Sequence, residues 1–202
     1  SQRVCAALPE GSKFPRVEHV VPMISIESLF ASTEVEEFHA RVLKGLEGRT
    51  AEAPEYACGP KWDGVSASLI YEDGILVRGV SRGDGKVGED MTLNLRAVRG
   101  VPLRLRGRAP RLLEVRGEVI LRIADFLAHN ARLKEQEEEP FANPRNSAAG
   151  TLKRLDPKFV AERGLRFLAW ECVRVEGGPG FARHSEAMAA VHGQTQSLHT
   201  NS

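Results

Sequence analysis

The chain has 202 residues, with 28 lysines and arginines against 27 aspartates and glutamates, so net charge gives no argument for a nucleic-acid or membrane partner. Its apolar fraction is that of an ordinary soluble protein, and the length suits one sizeable domain or one with a small appendage. Three cysteines, far apart and odd in number, form neither a disulfide framework nor a zinc pattern, and no apolar run reaches membrane-spanning length.

Residues 1–20 hold no periodic pattern and read as an extended lead-in; the chain starts on Ser1, as an excised piece would. His19-Val20-Val21-Pro22-Met23-Ile24-Ser25-Ile26 follows, and core packing is the simple expectation for its apolar positions. Thr33 and Glu36 have capping-box spacing. Val35, Phe38, Val42 and Leu46 then recur at helical intervals until Gly48, predicting an amphipathic helix packed on the domain.

Lys61-Trp62-Asp63-Gly64 comes next, ahead of an alternating run in which Val65, Ala67, Leu69 and Tyr71 share one strand face. Were residues 61–63 also extended, Lys61 and Asp63 would project to the same side, within reach of one ligand. Such a pair suits attack of an amine on phosphorus, provided burial or nearby positive charge strips the lysine of its proton. The plainer reading is a surface ion pair.

Glu72-Asp73-Gly74 signals a hairpin turn into a partner strand over 75–81. Residues 82–90 then place Gly83, Gly85 and Gly88 among Arg82, Asp84, Lys86, Glu89 and Asp90. Such a loop is either flexible surface or a place where backbone amides approach a ligand; its density of glycine and charge favours the second. Thr92 is placed to cap a short helix. Arginines crowd the middle third, from Arg78 to Arg111.

Residues 112–121 alternate, with Leu113, Val115 and Val119 on one face and Glu114, Arg116 and Glu118 on the other. The charged face is either a cross-strand ion-pair ladder or the floor of a polar site. A helix from Ile123 through Leu133 runs into the acidic stretch 135–139, and Asp156-Pro157 marks another helix start. Residues 165–173 alternate again and predict a strand near the sheet centre. A helical pattern through Ala187 and Val191 fades into a polar tail.

Five blocks resemble, in order, the adenylation (nucleotidyltransferase) domain of bacterial NAD-dependent DNA ligases. They are His19-x-x-Pro22-Met23-x-Ser25, Lys61-x-Asp63-Gly64, the Arg82–Asp90 loop with Asn94 and Arg96, Glu114-Val115-Arg116-Gly117-Glu118, and Phe141-Ala142-Asn143-Pro144-Arg145-Asn146 continuing to Asp156-Pro157. The lysine block is shared with ATP-dependent ligases and capping enzymes; the glycine-rich and Asn-Pro-Arg-Asn blocks point to the NAD type.

The resemblance implies an α+β fold of twisted, mainly antiparallel sheets with flanking helices, the ATP-grasp-like nucleotidyltransferase fold of covalent ligases. It divides the chain into the lead-in at 1–20, an incomplete adenylation domain at 21–180 and a weakly matching, frayed tail at 181–202. Lys61 is then the nucleophile and Asp63 the motif's catalytic aspartate. Ser25, Ile26, Arg82 and Glu118 line the nucleotide pocket, while Arg145 and Lys153 are phosphate or nick contacts. NAD is the adenylate donor, magnesium assists without an assigned protein ligand, and nicked double-stranded DNA is the partner of a monomeric, cytoplasmic enzyme. Gly59 departs from the family's common glutamate, Lys153 replaces an arginine, and the family's other modules are missing from the 202 residues. A degenerate fragment that only binds adenine nucleotide or DNA, and an ATP-dependent ligase or capping-type enzyme, are the competing readings.

Overall fold

The computed structural model describes residues 13–25, 27–50, 52–56, 58–178, 181 and 183–195. The chain divides into two units, one comprising residues 1–23 and 61–202 and the other residues 24–60. The smaller unit falls within the span 21–180.

The larger unit is built on a four-stranded antiparallel sheet in the order β3-β2-β5-β6, formed by Ile75–Ser81, Val65–Glu72, Leu112–Ile120 and Arg166–Glu176. The β2–β3 hairpin turns at Asp73 and Gly74, both with positive φ (46° and 79°), the backbone hand that suits the twist of paired strands. A second, two-stranded sheet pairs β1 (Arg16–Glu18) with β4 (Val87–Glu89). Around these lie α2 (Thr92–Arg96), α3 (Ile123–Glu135), α4 (Pro144–Leu152), α5 (Pro157–Glu162) and α6 (His184–Thr195).

One face of the main sheet carries the core: Ala67, Leu69 and Tyr71 from β2, Leu113, Val115 and Val119 from β5, and Phe167 and Ala169 from β6. This is the period-2 alternation of the sequence made physical. The opposite face of β5 is buried as well, with Glu114, Arg116 and Glu118 only 2%, 4% and 8% exposed. Burial of charge is tolerable only with partners. Glu114 accepts from Ser68 Oγ (2.8 Å) and lies 3.9 Å from Arg174, so this end of the row is a cross-strand ladder. Arg116 donates to the carbonyls of Val21 and Pro22 and pairs with Glu171 (3.6 Å), fastening the 19–23 segment across the sheet.

Several local expectations shift. The 165–173 strand is β6, at the edge of its sheet rather than the centre. Of the apolar positions in 20–25 only Met23 is buried; Val20 and Ile24 are 71% and 83% exposed. Helix α2 begins at Thr92 itself, whose N–H and Oγ donate to Asp90 Oδ1 (3.0 and 2.5 Å). Asn94 is buried and its amide donates to the carbonyls of Leu152 and Arg154 (2.6 and 2.8 Å), tying α2 to the end of α4. Asp156 and Pro157 cap and open α5 as expected, and Asn143 with Pro144 repeats the device at α4. Within the stretch read as a frayed tail, α6 buries Ala187 and Val191; residues 196–202 lie outside the described residues.

The smaller unit is organised on α1 (Ser32–Leu46). Its cap sits two residues earlier than the Thr33–Glu36 spacing suggests: Ala31 is the N-cap, and Glu34 Oε2 accepts from the amides of Phe30 (2.6 Å) and Ala31 (3.0 Å). Those donors hold the Glu34 carboxyl below its usual range. His39 meets the Tyr56 hydroxyl at 2.7 Å, and Arg41 reaches Glu27 at 3.4 Å. No residue of α1 is buried, contrary to the packed helix its periodicity predicts; Val35 is 54% exposed. Among the described residues no helix is long and apolar enough to cross a membrane, and Cys58 and Cys172 are free thiols.

Candidate active site

The site lies at the end of the sheet where β2 begins and β5 finishes. Ser66 and Glu118 are register partners, and Ser66 Oγ donates to Glu118 Oε2 at 2.9 Å. Immediately before β2 the chain crosses β5 so closely that a Cβ at Gly64 would stand 2.3 Å from the carbonyl oxygen of Val119. Only glycine fits, and just before it stands Lys61, whose charge acts on Glu118. Residues 61–63 are irregular rather than strand, so the shared-face expectation for Lys61 and Asp63 gives way to a turn of chain over the sheet end.

Arg82 follows the last residue of β3, with its amide donating to Ser66 O (3.2 Å). Arg145, in the first turn of α4, reaches Asp63 Oδ1 with Nη1 at 3.1 Å. At Glu118 burial acts first and raises the carboxyl above its ordinary range. The Ser66 hydrogen bond and then the charges of Arg145, Lys61 and Arg82, in that order, pull the other way. Among the expected residues, Arg145 thus pairs with Asp63, and the charges of Arg145, Lys61 and Arg82 act on Glu118.

Of the remaining three, only Lys153 belongs to the same unit among the described residues. Lys153 caps the far end of α4, eight residues from Arg145 and so about 12 Å along the helix axis, and it is exposed. Ser25 belongs to the smaller unit, and Ile26 lies outside the described residues. Lys61 is itself exposed.

The glycine-rich loop also differs from expectation. The amides of Arg82, Asp84 and Gly85 donate to the carbonyls of Ser66, Val87 and Arg82. Those of Lys86 and Val87 both donate to Asp84 Oδ1 at 2.8 Å, which keeps that carboxyl below its usual range. His19 closes the structure: its Nε2 faces the carbonyls of Ser81 (3.0 Å) and Arg82 (3.2 Å), which can only accept, so Nε2 carries the proton. The glycines serve contact between backbones. A Cβ at Gly88 would stand 1.9 Å from Ser81 O, and one at Gly83 would stand 1.9 Å from Val87 O.

Sequence reading missed Ser66, the hydrogen-bond partner of Glu118. The signal was present in the parity of Ser66 and Ser68, which face away from the Ala67, Leu69 and Tyr71 side of β2.

Burial at Glu118 has a consequence for stability. A folded-state pKa raised above the unfolded value means that stability is fully present below the ordinary glutamate range and is lost as pH rises through the folded value. Glu118→Gln, which cannot ionise, should therefore melt a few degrees higher than the parent at pH 7 and at the same temperature near pH 4. Equal melting curves at both pH values would contradict this.

A lysine, two carboxylates and two arginines gathered at the open end of a twisted antiparallel sheet make this a nucleotidyltransferase-type domain. The model of the NAD-dependent DNA ligase adenylation domain matches residues 11–201, and the chain belongs to that family. It is 51% identical over 179 residues to the DNA ligase of Azotobacter vinelandii (88% of this chain, 23% of the relative). Against the DNA ligase of Azorhizobium caulinodans it is 46% identical over 191 residues (94% and 26%), and against that of Halorubrum lacusprofundi 52% over 162 (77% and 23%). The chain thus spans about a quarter of the length of these curated relatives.

Proposed function

We propose that the Nζ of Lys61 takes adenylate from NAD as the first step of an NAD-dependent DNA ligase reaction. The neutral amine attacks the adenylyl phosphorus, the bond to the bridging oxygen breaks, and nicotinamide mononucleotide departs with that electron pair while the amine releases its proton. AMP then passes from Lys61 to the 5′-phosphate of a nick, and the 3′-hydroxyl displaces it to join the strand. The reading is supported above all by the family match over residues 11–201, and the charges of Lys61, Arg82 and Arg145 acting on Glu118 suit it.

In this reading Glu118, fixed by Ser66, receives the ribose hydroxyls, and Asp63 orients the reacting amine or a sugar hydroxyl. Arg82 and Arg145 bring positive charge to the phosphates, where it is needed as oxygen charge develops. Ser25 and Ile26 complete the nucleotide pocket, and Lys153 meets nucleic-acid phosphate further along α4. Among the described residues no group of three metal-ligating side chains occurs. Asp63 or Glu118 would offer a carboxylate oxygen to a magnesium ion, a hard cation that takes oxygen ligands. When bound, the ion neutralises phosphate charge. Nicked duplex DNA as partner, a monomeric state, a cytoplasmic setting and participation of further domains complete the proposal.

Intact-mass measurement on the full-length protein tests it. Incubation with NAD and magnesium should add one AMP, and ATP should add none. Loading from ATP alone, or from neither donor, would overturn the reading.

A further inference from the structure

Arg116 stands two residues before Glu118 on the same face of β5 and is buried. Its guanidinium donates to the carbonyls of Val21 and Pro22, the second at 3.1 Å, and the half-exposed carboxylate of Glu171 lies 3.6 Å away. Arg116 Nε is buried without a hydrogen-bond partner. A cation served in this way is a poor stabiliser, since a well-packed apolar side chain would avoid the cost of stripping its water. What it supplies is a fixed place for the segment it holds.

That segment, residues 19–23, is held from the other side by the glycine-rich loop. The amide of His19 donates to Lys86 O and that of Met23 to Gly85 O, both at 2.8 Å. The side chain of His19 adds its bonds to Ser81 O and Arg82 O at 3.0 and 3.2 Å. Amides of the segment thus serve the loop, and its carbonyls serve Arg116. Val20 and Val21 add little anchorage, because both side chains are exposed. The backbone of Arg82 is part of this assembly. Its carbonyl accepts from His19 Nε2 and from the Gly85 amide (3.0 Å), while its own amide donates to Ser66 O on β2.

We propose that Arg116 is a positioning residue for adenylate transfer: it fastens the 19–23 segment to the sheet, and through that segment and the loop it sets where Arg82 stands relative to Glu118. The inference rests on the reading of Arg82 as a phosphate contact in that transfer and deepens it.

The chemistry accounts for the choice of arginine. Two carbonyl oxygens on consecutive residues take two donors held in one rigid plane, which a guanidinium fork offers and a single ammonium does not. Lysine at this position keeps the charge and gives up one of the two anchor points.

Two measurements on the full-length protein test the proposal. Hydrogen exchange followed by mass spectrometry should quicken about tenfold in a peptide spanning residues 18–23 of Arg116→Lys, while a core peptide from β2 keeps its parental rate. Single-turnover loading of AMP from NAD, well below every melting temperature, then separates positioning from stability. Arg82→Met should slow loading about a hundredfold, the loss expected for one charge-stabilising donor. Arg116→Lys should slow it about tenfold, as a displaced but intact donor would. The double variant should be no slower than Arg82→Met alone, because Arg116 acts through Arg82. Losses that multiply to about a thousandfold would overturn the proposal, since independent sites add in free energy. Unchanged exchange in the 18–23 peptide would overturn it as well. Failure of the reading beneath it looks different: Arg82→Met would load at the parental rate, or the unsubstituted protein would itself acquire no adduct, and either result removes both.

Discussion

Lys61→Arg should abolish AMP loading from NAD, with no adduct visible by intact mass even after prolonged incubation. The substitution keeps positive charge and much of the side-chain length, so any role of Lys61 as a cation for binding phosphate would survive it. What it removes is the capacity to become a neutral amine, since guanidinium does not give up its proton in a protein. A surface ion pair in place of a nucleophile, the plainer reading of Lys61-Trp62-Asp63-Gly64, would leave loading nearly intact. Because Lys61 is exposed, the variant should fold, and its melting temperature should match the parent. Loss of adduct without loss of stability is the expected pair of results. An adduct that survives on the arginine variant would remove Lys61 from the chemistry.

The second large effect is expected at Gly117, between Arg116 and Glu118. A Cβ there would stand 2.3 Å from the Phe167 ring and 2.6 Å from the Leu168 carbonyl oxygen. Phe167 is 3% exposed in the core, so the ring has no space into which to withdraw, and the carbonyl belongs to the paired strand β6. Gly117→Ala should therefore cost about 3 kcal/mol by urea denaturation, the upper range for overpacking. It should also slow adenylate loading, because a shift of β5 relative to β6 moves Glu118 away from Ser66. Gly59→Ala is the control: a Cβ at Gly59 meets nothing within 4 Å. A Gly117→Ala protein as stable as the parent would show that β6 yields more readily than its geometry implies.

Much of this arrangement was legible in one dimension. The Asp73-Gly74 turn, the alternation of Val115 and Val119 against Glu114 and Glu118, and the Asp156-Pro157 helix start depend on contacts a few residues apart. The ordered motifs identified the family and the residues whose charges act on Glu118. What escaped was decided by partners distant along the chain. Whether the charged face of β5 is a ladder or a site floor could not be read locally, and only its Glu114 end is settled, as a ladder. Glu114 joins Arg174, 60 positions later, whereas Glu118 faces Lys61, 57 positions earlier. The edge position of β6 follows from pairing order, which alternation does not carry. Asp84 took the loop amides because an aspartate beside glycines has the reach to do so, an option that composition leaves open.

That last feature bears on how this family's phosphate recognition can be lost. A cradle of main-chain amides tolerates nearly any replacement of side chains around it, since the polypeptide itself does the holding. Here the amides of residues 82 and 84–87 are turned inward, so under the proposed function recognition would fall to individual guanidinium and ammonium groups. Each of those is set by one codon, so a single missense change can delete a phosphate contact while the loop beneath it keeps its shape.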